Sequence, residues 1–519
     1  MKKRDGTPQD LPDGMQRITA GPGETIEYEA DVVVIGLGAG GGMALHDLAE
    51  SGVDVMGVEM GGYFGPEEMT LQEEKMLPRL FCEGGGRSTS DMSINVMQGK
   101  GVGGSTVHNT NLCKRLPEPI VEQWKRDGIQ GLGAELDDDF EAVEEMLNVH
   151  AIPDDRINAN NQALLRGIEK LGYEGGSLSY NRKLCQASGF CELGCPNDGK
   201  ENATRRLVLP ALENGARVLI RTRIDEIVRD DGAVVGVRGR AIDAESGEPM
   251  ANVEIRCDCV VLAASATGSA ALALKSGVPD PHGLIGRRLH MHPGAFVMGV
   301  FDDDIEGWLG VPQSAECTEF LEFGDDAEHR VWLLSGFAHP GAAAGLMPGF
   351  GPAHGKLMEL YPNVAAMITM LHDETSGAVR PGDGERVHIH YQLEERDYRQ
   401  VALGMREAAR IFFAAGAQKV LLPTSPPRLI SSMSEAAGIS GGDLGPFNPP
   451  MVAVHPMSTM WMGDDPKSSV VDSYGAHHHL DGLFVADGSL FPSSIGGPPQ
   501  IPIYTMGKRV ARRVVDSLG

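Results

Sequence analysis

The sequence is poor in cysteine, in aromatic residues and in positive charge. It has 8 cysteines among 519 residues, too few for a disulfide scaffold, so a reducing cytoplasm is the expected compartment. Lysine and arginine number 45 against 72 acidic residues, which gives a formal net charge of −27. Because phosphate backbones attract basic surfaces, this balance argues against a nucleic-acid partner.

Long hydrophobic runs are also missing from the sequence. The longest apolar stretch near the N-terminus, residues 31–49, is interrupted by glycines and contains Asp and His. A membrane-spanning helix needs about 20 apolar residues, so no integral membrane segment is predicted. The opening residues carry a basic pair without an apolar segment behind it, and no signal peptide is expected. With 41% hydrophobic and 23% charged residues, the composition is that of a globular protein.

Glycine is what the sequence has in excess, with 68 residues, about twice the usual share. A buried-strand run at 31–35 is followed at once by Gly36, Gly38 and Gly41, then by a helical stretch and a second strand. This is the dinucleotide-binding fingerprint: Gly36 allows the turn, Gly38 lets backbone amides approach a pyrophosphate, and Gly41 lets the helix pack on the strand. Glu59 ends the second strand, where its carboxylate can accept hydrogen bonds from a ribose diol. An acid at this position favours an unphosphorylated adenosine ribose, and therefore FAD or NAD over NADP.

Further motifs decide between these cofactors. A second glycine loop lies at residues 99–109, and the segments HPMSTMWMG (455–463) and LFVADGSLFP (483–492) follow near the C-terminus. Together with residues 259–269 and 285–293, they resemble in order and spacing the glucose–methanol–choline (GMC) flavoprotein oxidoreductases, over essentially the whole chain from residue 30. Residues 194–196 and 310–314 look most like the bacterial long-chain alcohol and sterol oxidases of that family.

The resemblance implies an α/β fold, with a Rossmann-like FAD-binding domain and an inserted α+β substrate domain built on an antiparallel sheet. Local patterns agree: apolar periodicity predicts helices at 119–124, 136–147, 161–171 and 397–415, and strands at 296–301, 331–335 and 387–393. The predicted organisation is an N-terminal arm (1–26), a first segment of the FAD-binding domain (27–115), a helical cap (116–180), a second FAD-binding segment with a cysteine-rich loop (181–290), the substrate-binding domain (291–450), and a third FAD-binding segment with the catalytic histidine (451–519).

The resemblance also implies which residues bind FAD. In the ADP half, besides the fingerprint, Ile224 would contact the adenine through its backbone, and Asp487 and Gly488 would lie beside the pyrophosphate and ribityl chain. His108 matches the position that carries the flavin covalently in choline-oxidase-like members, whereas many relatives have another residue there. The other residues expected to contact the flavin are Gly103, Gly104, Asn109, Thr110, Asn111, Leu112, Pro499 and Gln500.

His455 matches the active-site histidine of the family. Oxidation of an alcohol removes the hydroxyl proton while a hydride leaves the carbinol carbon for flavin N5, and an imidazole with an ordinary pKa near ~6.5 is suited to accept that proton. The family's second active-site residue, His or Asn, is replaced by Pro498, which has no side-chain hydrogen bond to offer. Three explanations remain open: another residue substitutes, His455 works alone, or the reaction is not an ordinary alcohol oxidation. Candidate helpers are His290, His292 and His477, His478 and His479.

A cysteine-rich segment contains Cys185, Cys191 and Cys195, with Ser188 where a ferredoxin-type motif would have a fourth cysteine. Three thiolates suffice for a three-iron cluster, as in some sugar dehydrogenases of the family. The alternatives are buried thiols in a compact loop or one disulfide with a spare cysteine, and the sequence favours these over an iron–sulfur cluster.

The predicted function is FAD-dependent oxidation of a bulky apolar alcohol to an aldehyde or ketone, with His455 as base and with oxygen or another redox partner as electron acceptor. The alternative is a flavin-retaining lyase or decarboxylase of the same fold, a reaction class that Pro498 makes less remote. An NAD-binding or flavin-storage protein is disfavoured because His455 accompanies the flavin motifs.

Overall fold

The computed structural model describes residues 10–347 and 349–519, so the first nine residues of the predicted arm lie outside the described residues. Helices alternate with strands at both ends of the chain, as expected for α/β segments. The helices are α1 (Ala39–Glu50), α2 (Glu73–Leu80), α3 (Glu118–Arg126), α4 (Ala134–Met146), α5 (Ala159–Leu171), α6 (Leu209–Glu213), α7 (Ser265–Lys275), α8 (Pro340–Leu346), α9 (Gly351–Met358), α10 (Glu395–Ala415), α11 (Met433–Ala436) and α12 (Gln500–Leu518).

The strands fall into a parallel sheet and several antiparallel or mixed sheets. They are β1 (Met15–Arg17), β2 (Thr25–Glu29), β3 (Val32–Ile35), β4 (Val55–Glu59), β5 (Ile94–Val96), β6 (Leu112–Cys113), β7 (Val149–Ala151), β8 (Gly175–Ser177), β9 (Ser179–Asn181), β10 (Arg217–Ile220), β11 (Thr222–Asp230), β12 (Ala233–Ile242), β13 (Pro249–Arg256), β14 (Cys259–Leu262), β15 (Gly294–Val300), β16 (Ala315–Cys317), β17 (Val331–Gly336), β18 (Val364–Leu371), β19 (Ala378–Pro381), β20 (Val387–His390), β21 (Lys419–Leu422), β22 (Arg428–Ile430), β23 (Met451–Ala453) and β24 (Leu483–Val485).

A parallel six-stranded sheet with the order β1-β10-β4-β3-β14-β24 forms the centre of the nucleotide-binding half. Every residue of β3 is buried, as expected for a strand covered on both faces. The helix α1 starts four residues after β3 and packs against the C-terminal helix α12. Their backbones meet closely, because a Cβ on Gly507 would lie 2.6 Å from the carbonyl oxygen of Gly40. The predicted Rossmann-like fold is confirmed.

The second large sheet is the predicted substrate sheet, in which β21, β15, β18, β17 and β16 are consecutive antiparallel neighbours. One face is covered by α10 and α5, and α10 agrees with the helix predicted at 397–415. The alternation along β17 is strict: Val331 and Leu333 join the core beneath α10, whereas Trp332 and Leu334 face a cavity. The sheet therefore presents an apolar wall to that cavity.

Two details differ from the sequence predictions. Some residues of the predicted N-terminal arm are paired in sheets, since β1 extends the parallel sheet beside β10 and β2 pairs with β13. Backbone pairing, which composition does not reveal, orders these polar residues. The strand predicted at 387–393 ends at His390, and it pairs with β19 in a separate ribbon. The substrate sheet also recruits β5 and β8 from outside 291–450, so the domain limits stay a prediction. Among the described residues, no helix has the length and apolarity to cross a membrane.

Candidate active site

A cavity of about 860 Å³ is lined by residues of both large sheets. Most of the residues predicted from the sequence line it, although they come from distant regions of the chain. Gly41 and Gly103 do not line it and instead lie in the surrounding structure. The predicted residues that line the cavity are Gly36, Gly38, Glu59, Gly104, His108, Asn109, Thr110, Asn111, Leu112, Ile224, His455, Asp487, Gly488, Pro499 and Gln500.

The glycines of the fingerprint have different tasks. Gly36 has φ +92°, and a Cβ there would lie 2.4 Å from the carbonyl oxygen of Ala263, so the turn requires glycine. A Cβ on Gly41 would lie 1.9 Å from the carbonyl oxygen of Gly36, which shows how tightly α1 packs on the preceding turn. Around Gly38 the nearest heavy atom would be 3.9 Å away, at Gly104 Cα. Gly38 thus leaves open space at the N-terminus of α1, where an anion is favoured.

Glu59 is held at the end of β4 by backbone donors. Its Oε1 accepts hydrogen bonds from the N–H groups of Gly61 (2.8 Å) and Gly101 (3.0 Å), and its Oε2 accepts one from Leu37 N–H (3.1 Å). The carboxylate is buried but borders the cavity. These contacts connect the two glycine loops and leave acceptor positions for a ribose diol, since a carboxylate accepts about four hydrogen bonds.

The loop predicted to lie along the flavin is fixed to α12. Asn109 Nδ2 donates to Gln500 Oε1 (3.0 Å), and Gln500 Nε2 donates to the carbonyl oxygen of Leu112 (2.5 Å). The Asn111 side chain donates to Asn181 Oδ1 (3.0 Å), while Thr110 bonds to Gln313. The buried Oδ1 of Asn109 has no hydrogen-bond partner among the described residues, although Asn109 lines the cavity. A polar ligand such as the flavin edge would satisfy it.

The side chain of Lys200 holds the flavin loop through hydrogen bonds to its backbone. Its buried ammonium donates to the carbonyl oxygens of Val107 (2.9 Å), Asn109 (2.6 Å) and Cys191 (2.9 Å), and burial lowers the pKa of Lys200 to about 8. Three loop carbonyls thus depend on one side chain. No periodic pattern or motif in the sequence indicates this role.

Replacing Lys200 with methionine is expected to lower the free energy of unfolding by about 1–3 kcal/mol or more, because three carbonyl oxygens lose their buried hydrogen-bond donor. Chemical denaturation of the FAD-loaded protein measures this, with Lys170→Met, an exposed helical lysine, as the matched control. An unfolding free energy equal to that of the control would contradict the supporting role.

His108 is buried beside the flavin loop. Its ring centroid lies 3.9 Å from that of Phe81, and burial, assisted by the charge of Lys200, lowers the pKa of His108 to about 3. The imidazole is therefore neutral at physiological pH. Its Nε2 has no hydrogen-bond partner in the part of the chain that the structure describes, and the residue lines the cavity.

The remaining predicted FAD contacts lie at the carboxyl edge of the parallel sheet and beside it. Asp487 follows β24 and accepts hydrogen bonds from Ser489 N–H (2.8 Å) and from the hydroxyl of Ser269. Burial raises the pKa of Asp487 above its ordinary value. Ile224 lines the cavity from β11, and Gly488 follows Asp487 at the cavity wall. Taken with the open N-terminus of α1, this donor and acceptor set fits an extended FAD.

His455 faces the cavity next to a second histidine. The Nδ1 atoms of His455 and His292 are 3.4 Å apart, and their rings meet edge to face at 84°. Burial, then the neighbouring His292, holds the pKa of His455 well below its ordinary value. Burial likewise lowers the pKa of His292 to about 3. Both imidazoles are therefore neutral at physiological pH.

His292 is completely buried, and two groups of contacts hold it. Its Nε2 accepts hydrogen bonds from the N–H groups of Ile495 (3.3 Å) and Gly496 (3.1 Å). Its own backbone N–H donates to Asp373 Oδ1 (3.3 Å). Pro498 belongs to the same turn and lines the cavity without offering a polar side-chain atom. The turn therefore supports a histidine from another segment through its backbone.

Asp373 is a buried carboxylate next to the pair formed by His292 and His455. Its carboxylate accepts from Tyr391 OH (2.6 Å) and Ser494 Oγ (2.8 Å), and it faces His290 Nδ1 at 3.5 Å. Burial alone would raise the pKa of Asp373, but His290, His292 and Tyr391 outweigh it and keep the pKa below its ordinary value. Sequence reasoning missed Asp373, because a lone aspartate after a strand carries no motif.

The other histidine candidates lie elsewhere. His290 faces Asp373 and does not line the cavity. His477, His478 and His479 form a neighbouring group outside the cavity, in which His478 Nε2 contacts Ser469 Oγ (2.9 Å). Of the histidines proposed as helpers, only His292 contacts His455 among the described residues.

The three cysteines of the cysteine-rich loop are half-buried free thiols. Cys185 Sγ accepts hydrogen bonds from Arg182 Nη1 (3.7 Å) and Ala187 N–H (3.4 Å), and Cys195 Sγ accepts one from Gly199 N–H (3.3 Å). Across residues 10–347 and 349–519, three metal-ligating atoms come within 4.8 Å of one another only at His46, Asp47 and Glu50. The preference of the sequence for thiols without an iron–sulfur cluster at this loop stays a prediction.

Known proteins are similar to this chain in sequence. Models of the GMC oxidoreductase family match residues 77–294 and 374–507 of the chain. An uncharacterized GMC-type oxidoreductase of Mycobacterium tuberculosis is 30% identical over 94% of this chain and 76% of its own length. Long-chain-alcohol oxidase FAO4B of Arabidopsis thaliana is 26% identical over 94% of this chain and 67% of its own length. The long-chain-alcohol oxidases among these relatives are plant proteins, which corrects the expected likeness to bacterial ones.

Solved structures agree in fold. Pyridoxine 4-oxidase from Mesorbium loti has a TM-score of 0.73 at 18% identity, covering 94% of this chain and 99% of that one. A formate oxidase has a TM-score of 0.68 at 14% identity, covering 96% and 99%. The cavity, the fingerprint and these matches lead to one conclusion: the chain belongs to the GMC oxidoreductase family and is an FAD-dependent oxidoreductase.

Proposed function

We propose that the protein oxidises the CH–OH group of a bulky apolar alcohol to an aldehyde or ketone. When bound, FAD supplies the hydride acceptor at its N5 atom. The observation that carries the proposal is that His455 lines the same cavity as the flavin-loop residues Asn109 and Thr110. A substrate oxygen beside His455 would therefore lie next to the cofactor.

The size and polarity of the substrate follow from the wall formed by the antiparallel sheet. Phe296, Trp332, Leu334, Ile368 and Met370 line this side of the cavity. An apolar wall of this kind binds hydrocarbon through the hydrophobic effect, about 25 cal/mol per Å² of apolar surface removed from water. The printed names of the plant long-chain-alcohol oxidases support the same substrate class.

His455 has two available roles towards the substrate oxygen. As a base, it would accept the hydroxyl proton at an unprotonated Nε2. As a donor, it would hold the oxygen through an Nε2–H group while negative charge develops there. The base role is the hypothesis taken from the sequence, and the contact with His292 bears on the choice.

A flavin-retaining lyase or decarboxylase remains the second candidate. The observation that favours it is Pro498, which lines the same cavity as His455 and offers no polar side-chain atom. Such a reaction would need no net transfer of electrons to oxygen. Oxygen is the proposed acceptor for the alcohol-oxidising reaction, as the oxidase names of the relatives suggest.

Anaerobic addition of long-chain and cyclic alcohols to the FAD-loaded protein tests the proposal. The flavin absorbance is expected to bleach as hydride is transferred, and to return when air is admitted. Flavin that no alcohol bleaches would contradict alcohol oxidation and favour the second candidate. Purified protein without any flavin would overturn both.

Covalent attachment of the flavin through His108 is one of the two alternatives that the sequence left open. The unpartnered Nε2 of His108 at the cavity wall supports it, because a neutral imidazole nitrogen is a nucleophile. Flavin colour that stays with acid-precipitated protein, and is lost in His108→Ala, would establish the link. Colour released to the supernatant would refute it.

A further inference from the structure

The two neutral imidazoles share one proton between their Nδ1 atoms. At 3.4 Å, one Nδ1 donates and the other accepts. The donor is identified by the opposite end of the His292 ring, where Nε2 accepts from Ile495 N–H and Gly496 N–H. An Nε2 that faces two N–H donors cannot itself carry a hydrogen. The proton of His292 therefore lies on Nδ1 and points at His455.

The same reasoning fixes His455. Its Nδ1 accepts the hydrogen bond from His292, so its own proton lies on Nε2. The backbone of His292 has a φ of +50°, a conformation that histidine and asparagine adopt more readily than most residues. The Asp373 carboxylate accepts the backbone N–H of His292 and holds the backbone in place.

We propose that His292 is a positioning residue that locks the proton of His455 on Nε2, so that His455 meets the substrate oxygen as a hydrogen-bond donor. His292 does not line the cavity, so it acts on the reacting oxygen through His455, in a site where Pro498 offers no second polar side chain. The role of His455 towards an alcohol oxygen rests on the proposed function. The position of the proton on His455 does not depend on it, because it follows from the hydrogen bonds of His292.

The donor role changes where the hydroxyl proton goes. The O–H bond of the substrate breaks, its electron pair stays on oxygen, and the proton passes to a hydroxide ion from solvent, which becomes water. His455 Nε2–H donates to the resulting oxygen anion and keeps its own proton throughout. Such a preorganised donor in a buried site stabilises developing negative charge.

Charged and titratable groups around the pair are consistent with neutral rings. Asp373, His290 and His372 face His292, and of these only the carboxylate favours a proton on it. Asp373 already accepts hydrogen bonds from Met291 N–H, Tyr391 OH and Ser494 Oγ. Its charge is thus largely compensated, and burial keeps both imidazoles uncharged.

Two substitutions at position 292 separate the contacts. In His292→Asn, the amide nitrogen takes the place of Nδ1 and still donates to His455, while the acceptor for Ile495 and Gly496 is lost. In His292→Gln, the amide oxygen takes the place of Nε2 and still accepts those N–H groups, while the donor to His455 is lost. FAD content and melting temperature report whether each variant folds.

The pH dependence of kcat/KM with a good alcohol substrate is the kinetic test. We expect the wild type and His292→Asn to gain about tenfold per pH unit, because one proton is lost to hydroxide before hydride transfer. In His292→Gln, His455 regains an unprotonated Nε2, and the profile is expected to become level at neutral pH. A level profile in the wild type, or the same slope in both variants, would overturn the proposal.

Nitrogen NMR of the FAD-loaded protein labelled with ¹⁵N-histidine tests the proton position without turnover. Protonated and unprotonated ring nitrogens have distinct ¹⁵N shifts, and the His455 signals are those absent in His455→Ala. A protonated Nε2 and an unprotonated Nδ1 are expected for His455, and the reverse pattern would overturn the proposal. If this pattern is found in a protein that oxidises no alcohol, the proposed function fails and the inference about His292 stands.

Discussion

Replacement of His455 by alanine is expected to lower kcat for alcohol oxidation by about 10²–10³-fold while FAD stays bound. The imidazole of His455 lines the cavity together with the flavin-loop residues, and Pro498 has no polar side-chain atom to take its place. Removing it leaves the substrate oxygen without a donor when charge develops on it. Single-turnover bleaching of the flavin under anaerobic conditions measures the loss directly.

The matched control for this variant is His390→Ala, which removes an exposed histidine at the end of β20. Its kcat should equal that of the wild type within about twofold, as for an exposed residue that does not line the cavity. Turnover by His455→Ala at the wild-type rate would refute a role for His455 in the chemistry. Loss of FAD from the variant would assign His455 to cofactor binding instead.

The nucleotide-binding half was predictable because its constraints are local in sequence. Gly36, Gly41 and Glu59 lie within one strand–helix–strand unit, and each is dictated by a turn, a close packing contact or a hydrogen bond in that unit. The helix α10 was predictable for the same reason, since its apolar stripe repeats at the helical period. Constraints that act within one short segment leave a recognisable pattern in the sequence of that segment.

The support of the active site was not predictable, because it is assembled from distant segments. His292 follows a loop, Asp373 lies just after β18, and the turn at Ile495–Gly496 lies over 100 residues later. No spacing rule connects them; only the packed fold brings the Nδ1 of His292 to His455. The sequence singled out His292 as a candidate but offered no reason to prefer it to His290.

The absence of a polar side chain at position 498 was visible in the sequence, whereas its compensation was not. The turn containing Pro498 still contributes to the site, but through the N–H groups of Ile495 and Gly496. Backbone donors are present in every sequence and therefore give no signal. The turn that lacks a polar side chain at Pro498 therefore holds His292, the histidine that contacts His455, through its backbone.

Replacement of Gly38 by valine is expected to abolish FAD binding without unfolding the protein. A Cβ at this position meets no heavy atom nearer than 3.9 Å, so the apo fold has room for it. The space it enters lies at the N-terminus of α1, where the pyrophosphate of FAD is expected to contact the backbone. The added methyl groups would therefore compete with the cofactor and not with the core.

Flavin absorbance per mole of purified protein and the melting temperature in the absence of FAD together measure this effect. The Gly38→Val protein should be colourless and should melt within a few degrees of FAD-stripped wild type. Gly133→Val, at an exposed position with no heavy atom within 4 Å, is the matched control and should retain its flavin. By contrast, Gly36→Val is expected not to fold, since its Cβ would lie 2.4 Å from the carbonyl oxygen of Ala263. Full flavin occupancy in Gly38→Val would place the pyrophosphate elsewhere and refute the assignment of this loop.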